Sequence, residues 1–285
     1  MKLVNGFKLL EYAKNNRIVL PCFNTTNYEL TYGIIKGIQK SKRGGYIQIS
    51  SSNLELSSPK IIAQIVNFAM EKLDVDIPIA LHLDHGTSFA DVKKCVDAGF
   101  TSIMVDASHL PFEENIKEVR KTVEYCHYFD IPVEAELGAI EGKEESESIS
   151  NLDSKTDPEK VREFVEQTGC DLLAVSVGNV HGLDMKPNLD FKLLEKISKK
   201  TNVPLVLHGG SGIPYEDIVI AKKSNLIKIN YGSDLRKEFI GTFGKQYEKN
   251  HNSFDVKTLS KKAIEKIADK VIEISDSINE NVKVN

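Results

Sequence analysis

The chain is poor in cysteine: its 285 residues hold four, Cys22, Cys95, Cys126 and Cys170, with no C-x-x-C pair among them. That scatter argues against a disulfide framework or a thiolate zinc site and fits reduced thiols. Net charge is also small, since 37 Lys and Arg against 41 Asp and Glu leave −4 at pH 7, so there is no electrostatic case for nucleic acid. Long apolar runs are missing too. The longest are strand-sized, and the opening residues Met1 to Gly6 carry no apolar h-region, so neither a membrane span nor export is indicated and a cytoplasmic protein is expected. Any metal in such a chain must sit on histidine and carboxylate rather than sulfur.

What is present is a regular alternation. An apolar content of 41% suffices for a large core. Strand-like runs at 18–24, 46–51, 79–84, 102–106, 132–137, 172–177, 204–208 and 226–230 are separated by amphipathic helical patterns. Eight strands alternating with helices over ~250 residues have the count and length of a closed α/β TIM (β/α)8 barrel in one domain. Two segments fall outside the alternation. Residues 138–157 are charged and loop-like, either a solvated excursion or a flap over the barrel mouth, and 235–280 form a helical C-terminal extension.

The stretch Leu81-His82-Leu83-Asp84-His85-Gly86 is the centre of the chain's chemistry. Period two puts Leu81 and Leu83 on one face, His82 and Asp84 on the other, with His85-Gly86 as the exit turn. An acid beside an imidazole suits zinc chemistry, because neutral imidazole donates a lone pair while the carboxylate handles protons. A His and an Asp bonded inside a core would read the same, and this stretch alone leaves both open.

In a barrel of this kind catalytic groups come from the C-terminal strand ends. There the chain offers Asn24, Gln48, Ser50, His82, Asp84, His85, Asp106, Glu134, Glu136, His181, His208 and Asn230. So many polar groups in one apolar scaffold imply a ligand. His85, His181 and His208, at the exits of the third, sixth and seventh strands, suit a three-ligand zinc site with an open position. His82 lies a layer deeper and reads as a hydrogen-bonded inner residue, while His109, His127 and His251 read as surface residues. Asp106 and Glu136 are either partners behind the ligands or ligands of an alternative metal position. Gly-rich 208–214, beside 230–233, suits a phosphate.

These motifs resemble the class II, zinc-dependent ketose-bisphosphate aldolases, the fructose- and tagatose-bisphosphate type. The resemblance covers nearly the whole chain and is carried by Phe23-Asn24, Leu81 to Gly86, Phe100 to Asp106, Ser108 to Asn115, Val133 to Gly138, His181-Gly182, Leu207 to Gly212 and Lys228-Ile229-Asn230. It implies a homodimeric or homotetrameric enzyme in which His85, His181 and His208 hold Zn2+, which coordinates the ketone and neighbouring hydroxyl oxygens, and Asp84 is the acid/base at the C4 oxygen. Asn24, Ser50 and Asn230 would contact a phosphorylated ketose. Gly182, Gly209, Ser211 and Ser233 would cradle the phosphate of dihydroxyacetone phosphate, with a monovalent cation, Na+ or K+, nearby. A second acid/base at C3 would come from the pair Glu144-Glu145, with Glu144 the candidate and a merely solvated charge run the alternative.

Three departures bear on the substrate. Ser51 to Glu55 place an acid near a usual lysine, Lys257 stands where an arginine usually meets the distal phosphate, and His181 to Pro187 is a short segment beside the cation region. The resemblance makes fructose or tagatose 1,6-bisphosphate the default substrate, and the departures at its distal end make a ketose monophosphate or deoxy-keto-gluconate phosphate the alternative. A barrel subunit supporting a partner aldolase and a metal-dependent hydrolase are the readings from other classes.

Overall fold

In a computed structural model of the protein, residues 3–144, 147–149, 155–252 and 254–279 are described. The strands are β1 (Leu20–Asn24), β2 (Gly45–Ser50), β3 (Ile79–Gly86), β4 (Ser102–Val105), β5 (Val133–Leu137), β6 (Glu141–Glu144), β7 (Glu147–Ile149), β8 (Leu172–Val175), β9 (Val180–His181), β10 (Leu205–Leu207) and β11 (Leu226–Tyr231). The helices are α1 (Gly6–Asn16), α2 (Tyr28–Ser41), α3 (Pro59–Lys72), α4 (Phe89–Asp97), α5 (Phe112–Tyr128), α6 (Pro158–Thr168), α7 (Phe191–Ser198), α8 (Tyr215–Ala221), α9 (Ser233–Lys249) and α10 (Val256–Ser277).

Eight parallel strands close a barrel in the order β1-β11-β10-β8-β5-β4-β3-β2, sealed where Cys22 of β1 pairs with Asn230 of β11. This is the expected TIM barrel with a C-terminal helical extension. The period of two sorts the side chains. Phe23, Ile47, Ile49, Leu81, Leu83, Ile103, Val133, Leu173, Leu207 and Ile229 point outward and join the helices in one core. Leu20, Cys22, Tyr46, Ala80, Met104, Leu172, Ala174 and Val206 point inward, where α1 plugs the lower end with Leu9, Leu10 and Ala13. The residues that follow on the same inward faces toward the upper end are polar: Asn24, Gln48, Asp84, Glu136, His208 and Asn230, all buried.

Two local differences from the sequence reading have physical causes. Residues 138–157 are not all loop, because β6 and β7 pair antiparallel and β6 then pairs in parallel with β9, Gly142 opposite His181. A run rich in Glu, Ser and Lys lacks the apolar alternation that marks a strand. The sixth predicted strand likewise stops at Val175, and His181 lies on the separate two-residue β9.

Helix α10 packs back on α2 through small residues. A Cβ on Gly37 would lie 2.5 Å from Val271 Cβ, and one on Gly33 2.8 Å from Ile267 Cβ, so the two axes approach closely there. Beyond α10, Asn279 is 1% exposed and clips the barrel: Val19 N–H donates to Asn279 Oδ1 at 2.8 Å, and Asn279 Nδ2 donates to the Val19 carbonyl at 2.9 Å. Replacing Asn279→Ala strands a donor and an acceptor together, and is expected to cost about 2–4 kcal/mol. The check is the urea-unfolding midpoint; an unchanged midpoint would show that the clip adds nothing to stability.

Candidate metal centre and active site

Strand β3 sets the centre. Asp84 and His85 are consecutive, so a regular strand would send them to opposite faces. The register with β4 shifts between Leu83 and Gly86, and His85 has φ +45°, a left-handed conformation uncommon for a residue with a Cβ. Such strain costs about 1–3 kcal/mol and is found where a site needs a side chain re-aimed. Here it brings the His85 imidazole to the same upper end as Asp84, at the exit turn expected of His85-Gly86.

Three imidazoles meet above the barrel. Ligand atoms of His85, His181 and His208 lie within 4.8 Å of one another, with His208 Nδ1 2.8 Å from His85 Nε2. Each of two rings uses its other nitrogen on a carboxylate: His85 Nδ1 lies 2.7 Å from Asp106 Oδ2, and His208 Nε2 2.9 Å from Glu134 Oε1. His181 Nδ1 is buried with no hydrogen-bond partner among the described residues. A second cluster, His85, Asp106 and Glu136, meets the same distance criterion. Burial, then the charge of Asp106, raises the Glu136 carboxyl well above its ordinary range.

Asp84 is held from three sides. Asn24 Nδ2 and Gln48 Nε2 donate to Oδ2, each at 2.9 Å, and Asn230 Nδ2 donates to Oδ1 at 3.0 Å. These amides leave its carboxylate 4.0 Å from His85 Nε2. One layer below, Lys228 Nζ pairs with Glu134 Oε2 at 2.9 Å and donates to Asn230 Oδ1 at 2.7 Å, with both charged side chains fully buried. Burial alone would raise the Glu134 carboxyl, but Lys228 and then the His208 bond outweigh it and hold it below its ordinary range. His82 is an inner residue, its Nδ1 2.8 Å from Ser102 Oγ.

The other predicted site residues fall in two places. Asn24, Gly182, Gly209, Ser211, Asn230 and Ser233 line one recess together with His181, Gly232 and Arg236. Gly209 has φ +72°, and a Cβ there would lie 1.9 Å from the Val180 carbonyl oxygen, so no other residue fits. Ser50 lines a second cavity of about 390 Å³, with His85, Asp106, Ser108, His109 and Glu136 among its walls. That puts His109, read as a surface residue, at the edge of this cavity. Lys257 is exposed in the first turn of α10 and lines neither cavity. The backbone of Glu144 ends β6, its side chain lies outside the described structure, and Glu145 lies outside the described residues. Gln48 and Glu134 were visible as inward polar residues without a role. Arg236 was missed, because a helical arginine carries no signal of its own.

Two of the three rings set a pH dependence. Burial, reinforced by His85, lowers His181 from 6.5 to about 4, and burial outweighs the Glu134 bond to bring His208 to about 4. Both rings are therefore neutral at pH 7, the form that offers a lone pair. With folded values below the unfolded one, the unfolded chain takes up these protons first. Metal-free protein is expected to lose stability as pH falls from 6.5, the effect being complete near 4. Imidazole NMR titration alongside urea melts checks this; rings protonating at 6 or above would contradict it.

Comparison with known proteins agrees with this geometry. The family profile of the class II fructose-bisphosphate aldolases matches residues 4–283. A fructose-bisphosphate aldolase of Staphylococcus aureus is 41% identical over 236 residues, 82% of each chain. The crystal structure of the YdjI aldolase from Escherichia coli superposes with a TM-score of 0.84 at 28% identity, covering 99% of this chain and 100% of that one. A Coccidioides immitis structure gives a TM-score of 0.86 at 28% identity over 96% of both chains. With the barrel, the three imidazoles and the amide-held aspartate already in place, the match over nearly the full length makes this chain a member of the class II fructose-bisphosphate aldolase family.

Proposed function

We propose that this protein is a zinc-dependent aldolase that reversibly cleaves fructose or tagatose 1,6-bisphosphate to dihydroxyacetone phosphate and glyceraldehyde 3-phosphate. The observation that carries the reading is the juxtaposition of three convergent imidazoles, two of them backed by carboxylates, with Asp84 held at their edge by three amides. His85, His181 and His208 would hold the metal, and the unpartnered His181 Nδ1 and neutral rings fit a borderline cation. Bound there, zinc supplies Lewis-acid stabilisation for the charge that develops on the ketone oxygen as the C3–C4 bond breaks.

The chain's own groups do the rest. Asp84 takes the C4 hydroxyl proton during cleavage and returns it during condensation. Its three amide donors fix one carboxylate orientation, and Asn24 and Asn230 also face the recess where substrate would lie. Lys228, among the described residues the one fully buried lysine inside the barrel, is engaged by Glu134 rather than offered as a Schiff-base nucleophile: burial, which alone would lower it, is outweighed by Cys22 and Glu134. Glu144, on the proposed flap 138–157, is the acid/base at C3. The pairing of β6 with β9 at His181 supports that location.

Gly182, Gly209, Ser211 and Ser233 are assigned to the phosphate of dihydroxyacetone phosphate, with a monovalent cation, Na+ or K+, beside 181–187. A cytoplasmic homodimer or homotetramer is the assembly we infer. Four buried free cysteines fit a reducing compartment, and exposed Ile240, Tyr247 and Phe254 give an apolar surface to cover. A second reading, cleavage of a ketose monophosphate or a deoxy-keto-gluconate phosphate, is favoured by one feature. Among the described residues, the cavity beside Ser50 has neither lysine nor arginine in its lining, and Lys257 lies elsewhere.

The test is release of dihydroxyacetone phosphate from both bisphosphates and from a panel of ketose monophosphates, with and without chelator. Chelator-sensitive cleavage is expected. His208→Ala should lose bound metal and turnover together, whereas Asp84→Ala should keep its metal and lose about 10²–10⁴-fold in kcat. Turnover retained in either variant would refute the assignment, and release from monophosphates alone would select the second reading.

A further inference from the structure

We propose that Cys22 is a positioning residue for the acid/base Asp84: its thiol donates to the Gln48 carboxamide oxygen and so fixes which way Gln48 presents its NH2 to the carboxylate. The inference rests on the aldolase reading for the role of Asp84, while the hydrogen-bond chain itself stands without it.

That chain runs through one buried amide. Cys22 lies on the inner face of β1, level with Tyr46 on β2 and Asn230 on β11, and both Cys22 and Gln48 are fully buried. Cys22 Sγ donates to Gln48 Oε1, and among the described residues it is the one donor that this oxygen meets. The other end of the same carboxamide serves the site. Gln48 Nε2 donates to Asn24 Oδ1 at 2.6 Å and to Asp84 Oδ2 at 2.9 Å. Asn24, its oxygen so engaged, turns Nδ2 to the same Asp84 oxygen at 2.9 Å. Both of these amide donors to Oδ2 are therefore oriented from one thiol. At the opposite oxygen Lys228 does the same for Asn230, so each side of the carboxylate has its own anchor below it.

A carboxamide is nearly symmetric in shape, and only its partners decide which end is oxygen. Turned over, Gln48 would set its oxygen against Asn24 Oδ1 and Asp84 Oδ2 and leave its NH2 on sulfur, a weak acceptor. The charge on Asp84 opposes that turn, but the charge is gone while Asp84 holds the C4 proton. The thiol is the donor that stays the same throughout. Burial raises Cys22 well above its ordinary range against the pull of Lys228, so it remains S–H at neutral pH. An alanine or valine there would supply no donor and would strand a buried oxygen.

The experiment compares zinc-loaded full-length protein in four forms: unmodified, Cys22→Ser, Cys22→Val and Cys22→Ala. Two rates are measured: release of dihydroxyacetone phosphate from fructose and tagatose 1,6-bisphosphate, which needs Asp84, and proton exchange at C3 of dihydroxyacetone phosphate, which does not. Cys22→Val and Cys22→Ala are expected to lower kcat for cleavage about three- to tenfold, as for one neutral hydrogen bond, with KM, bound zinc and C3 exchange changed less than about twofold. Cys22→Ser, which keeps a donor, should recover most of the loss. The infrared S–H stretch that disappears in Cys22→Ser reports the bond directly; it should lie below that of an unbonded thiol and move up in Gln48→Leu.

Equal cleavage by all four forms overturns the proposal and leaves the aldolase reading intact. An S–H band at the position of a free thiol also overturns it. So does a fall of cleavage and C3 exchange together with loss of zinc, which would mark a structural role. If unmodified protein cleaves no ketose phosphate at all, the aldolase reading fails and takes this proposal with it.

Discussion

Glu134 is a carboxylate sealed inside a closed barrel, and the surrounding strands are arranged to answer its charge. A closed sheet has no edge and no water on its inner face, so an ion placed there must be met by side chains at the same level. Lys228 arrives from β11, His208 from β10 and His82 from β3, with contacts of 2.9, 2.9 and 3.8 Å. From that layer order passes upward. Lys228 fixes the Asn230 carboxamide oxygen, which turns its NH2 to Asp84. Glu134 fixes the His208 ring, which turns Nδ1 toward the other imidazoles. The Asp84 carboxylate and one ring of the imidazole trio thus share one buried support.

Such a support is costly to stability, because buried ion pairs rarely outperform an apolar core. A barrel kept only to brace a partner could fill these positions with leucine and valine, as the inner face does in register with them at Leu172 and Val206. The strained His85 is a second cost with no structural return. Two expenses at one end of one barrel are what a reaction centre explains and a brace does not.

Legibility followed the length scale of each determinant. The barrel could be read because eight strands of one period are separated by amphipathic helices, and length alone limits the alternatives. The histidine trio could be read because each member sits at a strand exit, where such barrels display their chemistry. The amide cage around Asp84 was half legible: Asn24, Gln48 and Asn230 were seen facing inward, but register alone sets which oxygen each one meets. Gln48 pairs with His82 and Ser50 with Asp84 across β2 and β3, and nothing in a single sequence states that register. The turn at His85-Gly86 could be read, but not that His85 rather than the glycine carries the positive φ. The β6–β7 strands failed for composition, their Glu, Lys and Ser residues lacking the alternation of a half-buried strand.

The hairpin that composition hid bears on how the centre holds together. Among the described residues, His181 is the ligand candidate with no carboxylate on its Nδ1, unlike His85 and His208, whose second nitrogens meet one. Its backbone instead belongs to β9, paired with Gly142 of β6, and Asn179, two residues earlier, donates to the His208 carbonyl at 3.2 Å. Two rings are thus aimed by carboxylates on the barrel, and the third by main-chain pairing with β6. The three rings are therefore not equivalent in what positions them. A change in the 138–157 segment reaches His181 through a backbone ladder, whereas reaching His85 or His208 requires disturbing Asp106 or the Glu134 layer. The imidazole cluster and β6 are thus joined through the main chain at His181, whose Nδ1 has no hydrogen-bond partner among the described residues.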